Sequence, residues 1–295
     1  MTLEYVLWKG LNKMNKVAII TDSTCDLSKE IIESRNIKVL PLYVRFGEDT
    51  YRDGIDITTD RLYELVEQKN EIPKTSAVSP GDFIEAFEPL IKDGYDIIYT
   101  GIGSSLSGTF QSAHIASLEF PENRIYLVDS KNLSTGIGLL VLKACDLRDR
   151  GLSASDIKDR LLEIVPKVRS QFAVKTLDYL HKGGRASGTA KLLGTMLRIK
   201  PIIQVRDGKM DVYTKTMGKM SRALDVMLTD YINLGEQIDL DYVMITHSQA
   251  GKHVDYMSEI VNQKLKPNKL FVTEAGCVIS SHCGPGTIGI LYIVK

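Results

Sequence analysis

Charge of one sign, cysteine, tryptophan and long apolar runs are all scarce in this chain. Its 295 residues carry 37 Lys+Arg against 37 Asp+Glu, a formal net charge of zero. Proteins that grip nucleic acid or an anionic membrane surface normally carry a basic surplus, so neither partner is expected. Four cysteines (Cys25, Cys145, Cys277, Cys283) with no C-x-x-C make no disulfide framework; they read as small buried thiols of a cytosolic protein. Cys277, His282 and Cys283 lack both zinc-knuckle spacing and a second ligand pair, so no metal is expected. No apolar run approaches the roughly 20 residues of a membrane helix; the longest, residues 136–145, is broken by Lys143. The N-terminus shows no basic n-region or cleavage site, which makes a cytoplasmic location the expectation. Residues 1–15, which include the single tryptophan, Trp8, read as an extension ahead of the first strand.

What is present is ordinary globular composition, 43% hydrophobic and 25% charged, at a length that suits two domains. Residues 17–21 form an apolar run ending in the polar turn Asp22-Ser23-Thr24, the pattern of a strand buried on both faces. Residues 38–44, 95–100 and 124–128 read as further strands. Helices start at Ser79-Pro80-Gly81-Asp82 and at Ser153-Ala154-Ser155-Asp156, each a capping serine with an acid three residues on. This strand–helix cadence predicts a three-layer α/β/α domain with a mainly parallel sheet over residues 16–165. Asp207-Gly208 between two apolar runs signals a hairpin. Helices over about 218–234 and 252–265 and strands over 242–246, 270–273 and 288–294 follow. Residues 166–295 are therefore expected to form a smaller α+β domain with a mixed sheet.

Three segments break this logic with small hydroxyl residues and glycine: residues 74–79, 101–109 and 280–286. The second is the most informative, because ligands of open parallel sheets bind at the carboxyl ends of strands, where a Gly/Ser loop offers N–H groups to an anion; the bland alternative is a capped tight turn. Gly103 and Gly108 have Walker spacing, but Thr109 stands where the phosphate-binding lysine belongs, and no serine there has the hydrolase-elbow glycines. The G-x-G-x-x-G at residues 284–289 leaves no room for a βαβ unit. His282, among serines and glycines, is the histidine to weigh against a structural turn histidine; His114, His181 and His247 read as structural. Lys182-Gly183-Gly184-Arg185 is either a helix end with left-handed glycines or a loop presenting Arg185 to an anion.

Six motifs occur in order: Thr21-Asp22-Ser23-Thr24-Cys25-Asp26-Leu27, Lys74-Thr75-Ser76, Ser104-Ser105-Leu106-Ser107-Gly108-Thr109, Lys182-Gly183-Gly184-Arg185, Ile199-Lys200-Pro201-Ile202 and His282-Cys283-Gly284-Pro285-Gly286. Together they resemble the signatures of the DegV family across residues 16–295. The resemblance implies a two-domain α/β protein that binds a long-chain fatty acid in a tunnel between the domains, without catalysis or cofactor of its own. It also implies a partner, the ATP-using subunit of a bacterial fatty acid kinase, to which the acyl carboxylate is presented for acyl-phosphate formation. Matched position by position, Thr75, Ser76, Ser107, Gly108, Thr109 and His282 hold the carboxylate, and Asp22, Ser23 and Arg185 lie near the head group. Two positions depart from the family pattern. Ala77-Val78 follows Lys-Thr-Ser where Gln-Pro is usual, and Met217 stands where an arginine tied to kinase docking is expected, with Lys215, Lys219 and Arg222 nearby. Hydroxyls suit a carboxylate because they bind it without burying a countercharge. Apolar helices at residues 136–142 and 192–197 are candidates for the tunnel wall, although core packing explains either equally well. The rival reading is a phosphotransferase or hydrolase that uses the Gly/Ser loop around Ser107 with His282 and Asp22.

Overall fold

The computed structural model describes residues 16–185 and 199–295; the proposed extension over 1–15 and the helix at 192–197 fall outside these. The first strand, β1 (Lys16–Asp22), lies in a four-stranded all-parallel sheet with β2 (Ile37–Leu40), β6 (Tyr95–Gly101) and β7 (Ile125–Asp129), in the order β2-β1-β6-β7. Alternate residues of β1 serve opposite cores. Ile20, with Ile97 and Tyr99, packs on helices α2 (Thr59–Lys69), α3 (Pro80–Lys92) and α4 (Thr109–Ser117). Ile19, with Ile98 and Val128, packs on α1 (Lys29–Ser34), α5 (Thr135–Asp149) and α6 (Ala154–Ile164). Ser79 and Ser153 cap α3 and α6 as the sequence predicts, and Ser79 forms a full capping box with Asp82.

The expected single strand at 38–44 is in fact two strands in different sheets. Pro41 has no N–H to donate, so β2 ends at Leu40 and the chain turns into β3 (Tyr43–Phe46). With β4 (Asp49–Arg52) and β5 (Lys74–Ser76), β3 makes a small antiparallel sheet of order β4-β3-β5. The hydroxyl cluster at residues 74–76 is thus a short edge strand rather than a loop.

The second half is built on a six-stranded mixed sheet of β8 (Val168–Ala173), β9 (Ile199–Arg206), β10 (Lys209–Met217), β11 (Ile238–Ser248), β12 (Lys269–Glu274) and β13 (Thr287–Val294). Its order is β10-β9-β8-β13-β11-β12, antiparallel throughout except for β11 with β12. The β9–β10 hairpin turns at Asp207-Gly208 as predicted. Helices α8 (Met220–Leu234) and α9 (Val254–Lys264) cover one face. Two further short helices lie among the described residues, α7 (Asp178–Lys182) and α10 (Cys277–Cys283). His282 therefore stands on a helix, not in a turn, and His247 lies within β11 rather than after it.

α5 joins the halves. Ten of its 15 residues are buried, among them the run from Thr135 to Leu142. Its core also includes Tyr242, Met244, Leu291 and Ile293 of the mixed sheet. A helix apolar all round belongs between two layers, and α5 lies between the two large sheets. Gly138 allows the close approach: a Cβ there would meet Leu27 Cδ2 at 2.8 Å and the Cys25 carbonyl at 2.9 Å. Lys143, which breaks the apolar run in sequence, reaches Asp239 at 2.6 Å and Asp241 at 2.7 Å on β11.

Candidate functional site

Where the parallel sheet's carboxyl ends meet the mixed sheet, a cleft opens. It encloses about 870 Å³ free of protein atoms, its mouth included. Its walls are largely apolar, with Leu42, Ile102, Phe172, Met210, Val278 and Leu291 among them. Five sequence-predicted residues line it: Thr75, Ser76, Ser107, Arg185 and His282.

Thr75 sits on β5, and its hydroxyl is 2.9 Å from His282 Nε2. The other ring nitrogen, Nδ1, is buried without a partner among the described residues. Burial, reinforced by the nearby Arg185 cation, lowers the imidazole to about 4, so the ring is neutral at pH 7. α10 brings it there, and Gly183 makes room, since a Cβ at that position would overlap the His282 ring. Gly184 takes the left-handed conformation at φ +67°, so Lys182-Gly183-Gly184-Arg185 ends a helix and also places Arg185 at the cleft. The exposed guanidinium donates to the carbonyls of Gly183 at 2.8 Å and Leu106 at 3.4 Å, which ties the end of α7 to the Gly/Ser loop.

Ser107 leads into α4. Its oxygen lies 2.9 Å from the Thr109 hydroxyl and accepts from the Thr109 N–H at 3.3 Å. Thr109 is fully buried and stands behind Ser107 rather than on the wall; Gly108 is the N-cap of α4 and is likewise off the lining. Most N–H groups of the loop are already bonded. The N–H groups of Ile102, Gly103, Ser104, Leu106 and Ser107 donate to Asp22, Asn132, Asp129 and the Gly103 carbonyl. A phosphate cradle needs such N–H groups free, and here they hold the loop together.

Asp22 and Ser23 do not line the cleft. The Asp22 carboxylate is buried and accepts from Thr24, Tyr99 (2.9 Å) and the Ile102 N–H (2.9 Å); burial pushes its carboxyl above the usual range despite these bonds. Its oxygens are thus spent on the protein itself: two bonds hold the turn after β1, one holds Tyr99, and one anchors the Gly/Ser loop at Ile102. Ser23 Oγ accepts from the Leu42 N–H at 3.1 Å and orients that wall residue. On the floor are hydroxyls the sequence reading missed, Thr246 and Ser248 of β11. Thr246 bonds Thr135 and Thr273, and Ser248 bonds Tyr63 and Ser280. Their alternation along β11 was the available sign. Cys283 also lines the wall, its thiol pushed up to about 12 by burial. Among the described residues no group of His, Cys, Asp and Glu could hold a metal ion, and no helix is long and apolar enough to cross a membrane.

A family model described as an uncharacterised protein of the DegV family matches residues 16–295. The chain belongs to the DegV family. A DegV domain-containing protein of Clostridium acetobutylicum is 38% identical over 287 residues, covering 96% of this chain and all of the relative. Among solved DegV-family structures, the Thermus thermophilus protein, described as binding fatty acid, superposes with a TM-score of 0.89 at 30% identity, covering 95% of this chain and 100% of that one. A stearic acid-binding protein of Eubacterium ventriosum superposes with a TM-score of 0.84 at 28% identity, over 96% and 99% of the two chains. The two-domain α/β architecture is that of these DegV structures.

Proposed function

We propose that this chain binds one long-chain fatty acid in the cleft, head group at Thr75 and Ser107, acyl tail along the apolar wall. The observation that carries the reading is the pairing of two hydroxyls, each backed by another polar group, with a largely apolar cleft. His282 is neutral and its Nδ1 has no acceptor, so the ring hydrogen belongs on Nε2, where the Thr75 oxygen accepts it. Thr75 then turns its own O–H to the cleft. Thr109 backs Ser107 in the same way, leaving a second O–H for the carboxylate. Ser76 and the exposed Arg185 border the head group, and Arg185 supplies positive charge without being buried. Affinity comes from the tail: at about 0.8 kcal/mol per CH₂, a dozen methylenes contribute roughly 10 kcal/mol before ordering costs. The fatty acids bound by the Thermus and Eubacterium relatives support the same ligand class here.

The finer reading is that the chain is a cytoplasmic, non-catalytic subunit with domains meeting near residue 165. It presents the carboxylate to the ATP-using subunit of a fatty acid kinase, feeding phospholipid metabolism. The spent N–H groups of the Gly/Ser loop favour this over the phosphotransferase or hydrolase reading. Native mass spectrometry of protein purified from a bacterial host tests the ligand: a bound C14–C18 acid is expected. A chain that stays empty, and gains no thermal stability from oleate or palmitate, refutes it.

A further inference from the structure

Two carboxylates from the first half converge on three consecutive N–H groups of the second. Asp53, directly after β4, accepts from the Cys277 N–H at 2.7 Å and the Val278 N–H at 3.3 Å. Asp26 accepts from the Gly276 N–H at 2.9 Å and from the Ser134 hydroxyl at 2.5 Å. Both side chains are nearly inaccessible, at 3% and 5% exposure. Burying two carboxylates is costly, and a seven-residue helix such as α10 returns little for being capped. What α10 carries at its other end is His282.

We propose that Asp53 and Asp26 are positioning residues for the head-group site: they lock α10 so that His282 meets Thr75. The proposal rests on the fatty-acid reading for its functional meaning, and its geometry is a closed ring of four rigid sides. Tyr43 of β3 pairs with Arg52 on one flank and Ser76 on the other, so one small sheet carries both Asp53 and Thr75. Two strand spacings across and a two-residue offset along the strands, about 12 Å in all, separate them. From Cys277 to His282 the helix spans about 7.5 Å. The Asp53–Cys277 bond of 2.7 Å and the Thr75–His282 bond of 2.9 Å close the ring. A tilt of about 10° at the N-terminus of α10 would carry the His282 backbone roughly 1.3 Å, enough to break the Thr75 bond. Asp26 adds a second anchor from the loop after β1, beside α5 through Ser134.

Asp53→Asn tests this, because it keeps the shape and turns an amide donor toward N–H groups that need an acceptor. The readouts are the His282 titration by NMR and the dissociation rate of bound oleate, with Leu228→Ala in the distant α8 core as a stability control. In Asp53→Asn the His282 midpoint rises from about 4 toward the ordinary 6.5 as water reaches the ring, and oleate leaves about tenfold faster, as for loss of one charge-assisted bond. Leu228→Ala moves neither. An Asp53→Asn protein that melts lower, like Leu228→Ala, but keeps the parent titration and oleate rate overturns the proposal. Should Asp53→Asn fail to fold, Asp26→Asn carries the same two readouts with a single helix N–H at stake. If the parent holds no oleate while Asp53→Asn still moves the His282 titration, the fatty-acid reading falls and the positioning role stands.

Discussion

Replacing Thr75 by valine removes one oxygen and keeps the shape. The site is half-buried on the short edge strand β5, where a β-branched residue is at home, but the buried His282 ring loses the Thr75 oxygen as its partner, so the fold is expected to lose about 1–3 kcal/mol without unfolding. The hydroxyl's work is local: it pairs with His282 Nε2 at 2.9 Å, and in the proposed complex it donates to the carboxylate. A hydrogen bond to a charged group is worth about 1.5–3 kcal/mol, which converts to a roughly 10- to 150-fold weaker Kd. Thr75→Ser retains the hydroxyl and should bind within about threefold of the parent, well under 1 kcal/mol. Displacement of a fluorescent fatty-acid analogue by oleate, read beside urea denaturation of each variant, gives both quantities. Equal affinities for the parent, Thr75→Val and Thr75→Ser would refute the head-group assignment, since no hydroxyl would then be holding the acid.

Three further outcomes are expected. The His282 imidazole is held at about 4 in the folded chain against 6.5 when free, so its contribution to stability is present above pH 6.5 and lost as pH falls toward 4. Urea denaturation should show the parent losing about 3 kcal/mol relative to His282→Gln between pH 7.5 and pH 4; parallel pH profiles would contradict this. Gly138→Ala forces a methyl against Leu27 and the Cys25 carbonyl and should cost about 1–3 kcal/mol in the same assay. Met217 is 58% exposed at the end of β10, so Met217→Arg should fold like the parent and increase acyl-phosphate formation with a bacterial fatty acid kinase and ATP; unchanged turnover would detach that position from kinase docking.

The parallel sheet was legible because its strands are apolar runs and its helices announce themselves with capping serines, as at Ser79 and Ser153. The β9–β10 hairpin was legible from Asp207-Gly208. β5 and α10 were not, since three residues of strand and seven of helix carry too short a pattern to reveal a period. The hydroxyl residues marked the site's wall, with Thr75 and Ser107 on one cleft. They did not separate wall from support. Asp22 shares its motif with Ser23 and Thr24, and only the fold shows its oxygens turned toward Tyr99 and Ile102 instead of a ligand. Asp53, 22 positions before Thr75, reaches a helix more than 220 positions later; no local pattern encodes such a contact.

The helix between the two large sheets bears on how a guest can enter. Ile137, Leu139, Leu140, Val141 and Leu142 are each at most 1% exposed. Their burial is worth roughly 8–15 kcal/mol, about half of it lost if one sheet swung away. A typical domain has only about 5–15 kcal/mol of net stability in total. A jaw-like motion of the two halves would therefore forfeit about 4–8 kcal/mol of burial, a sum comparable with a large part of such a stability. Exchange of the proposed occupant is expected through local openings at the rim of the cleft rather than through separation of the halves.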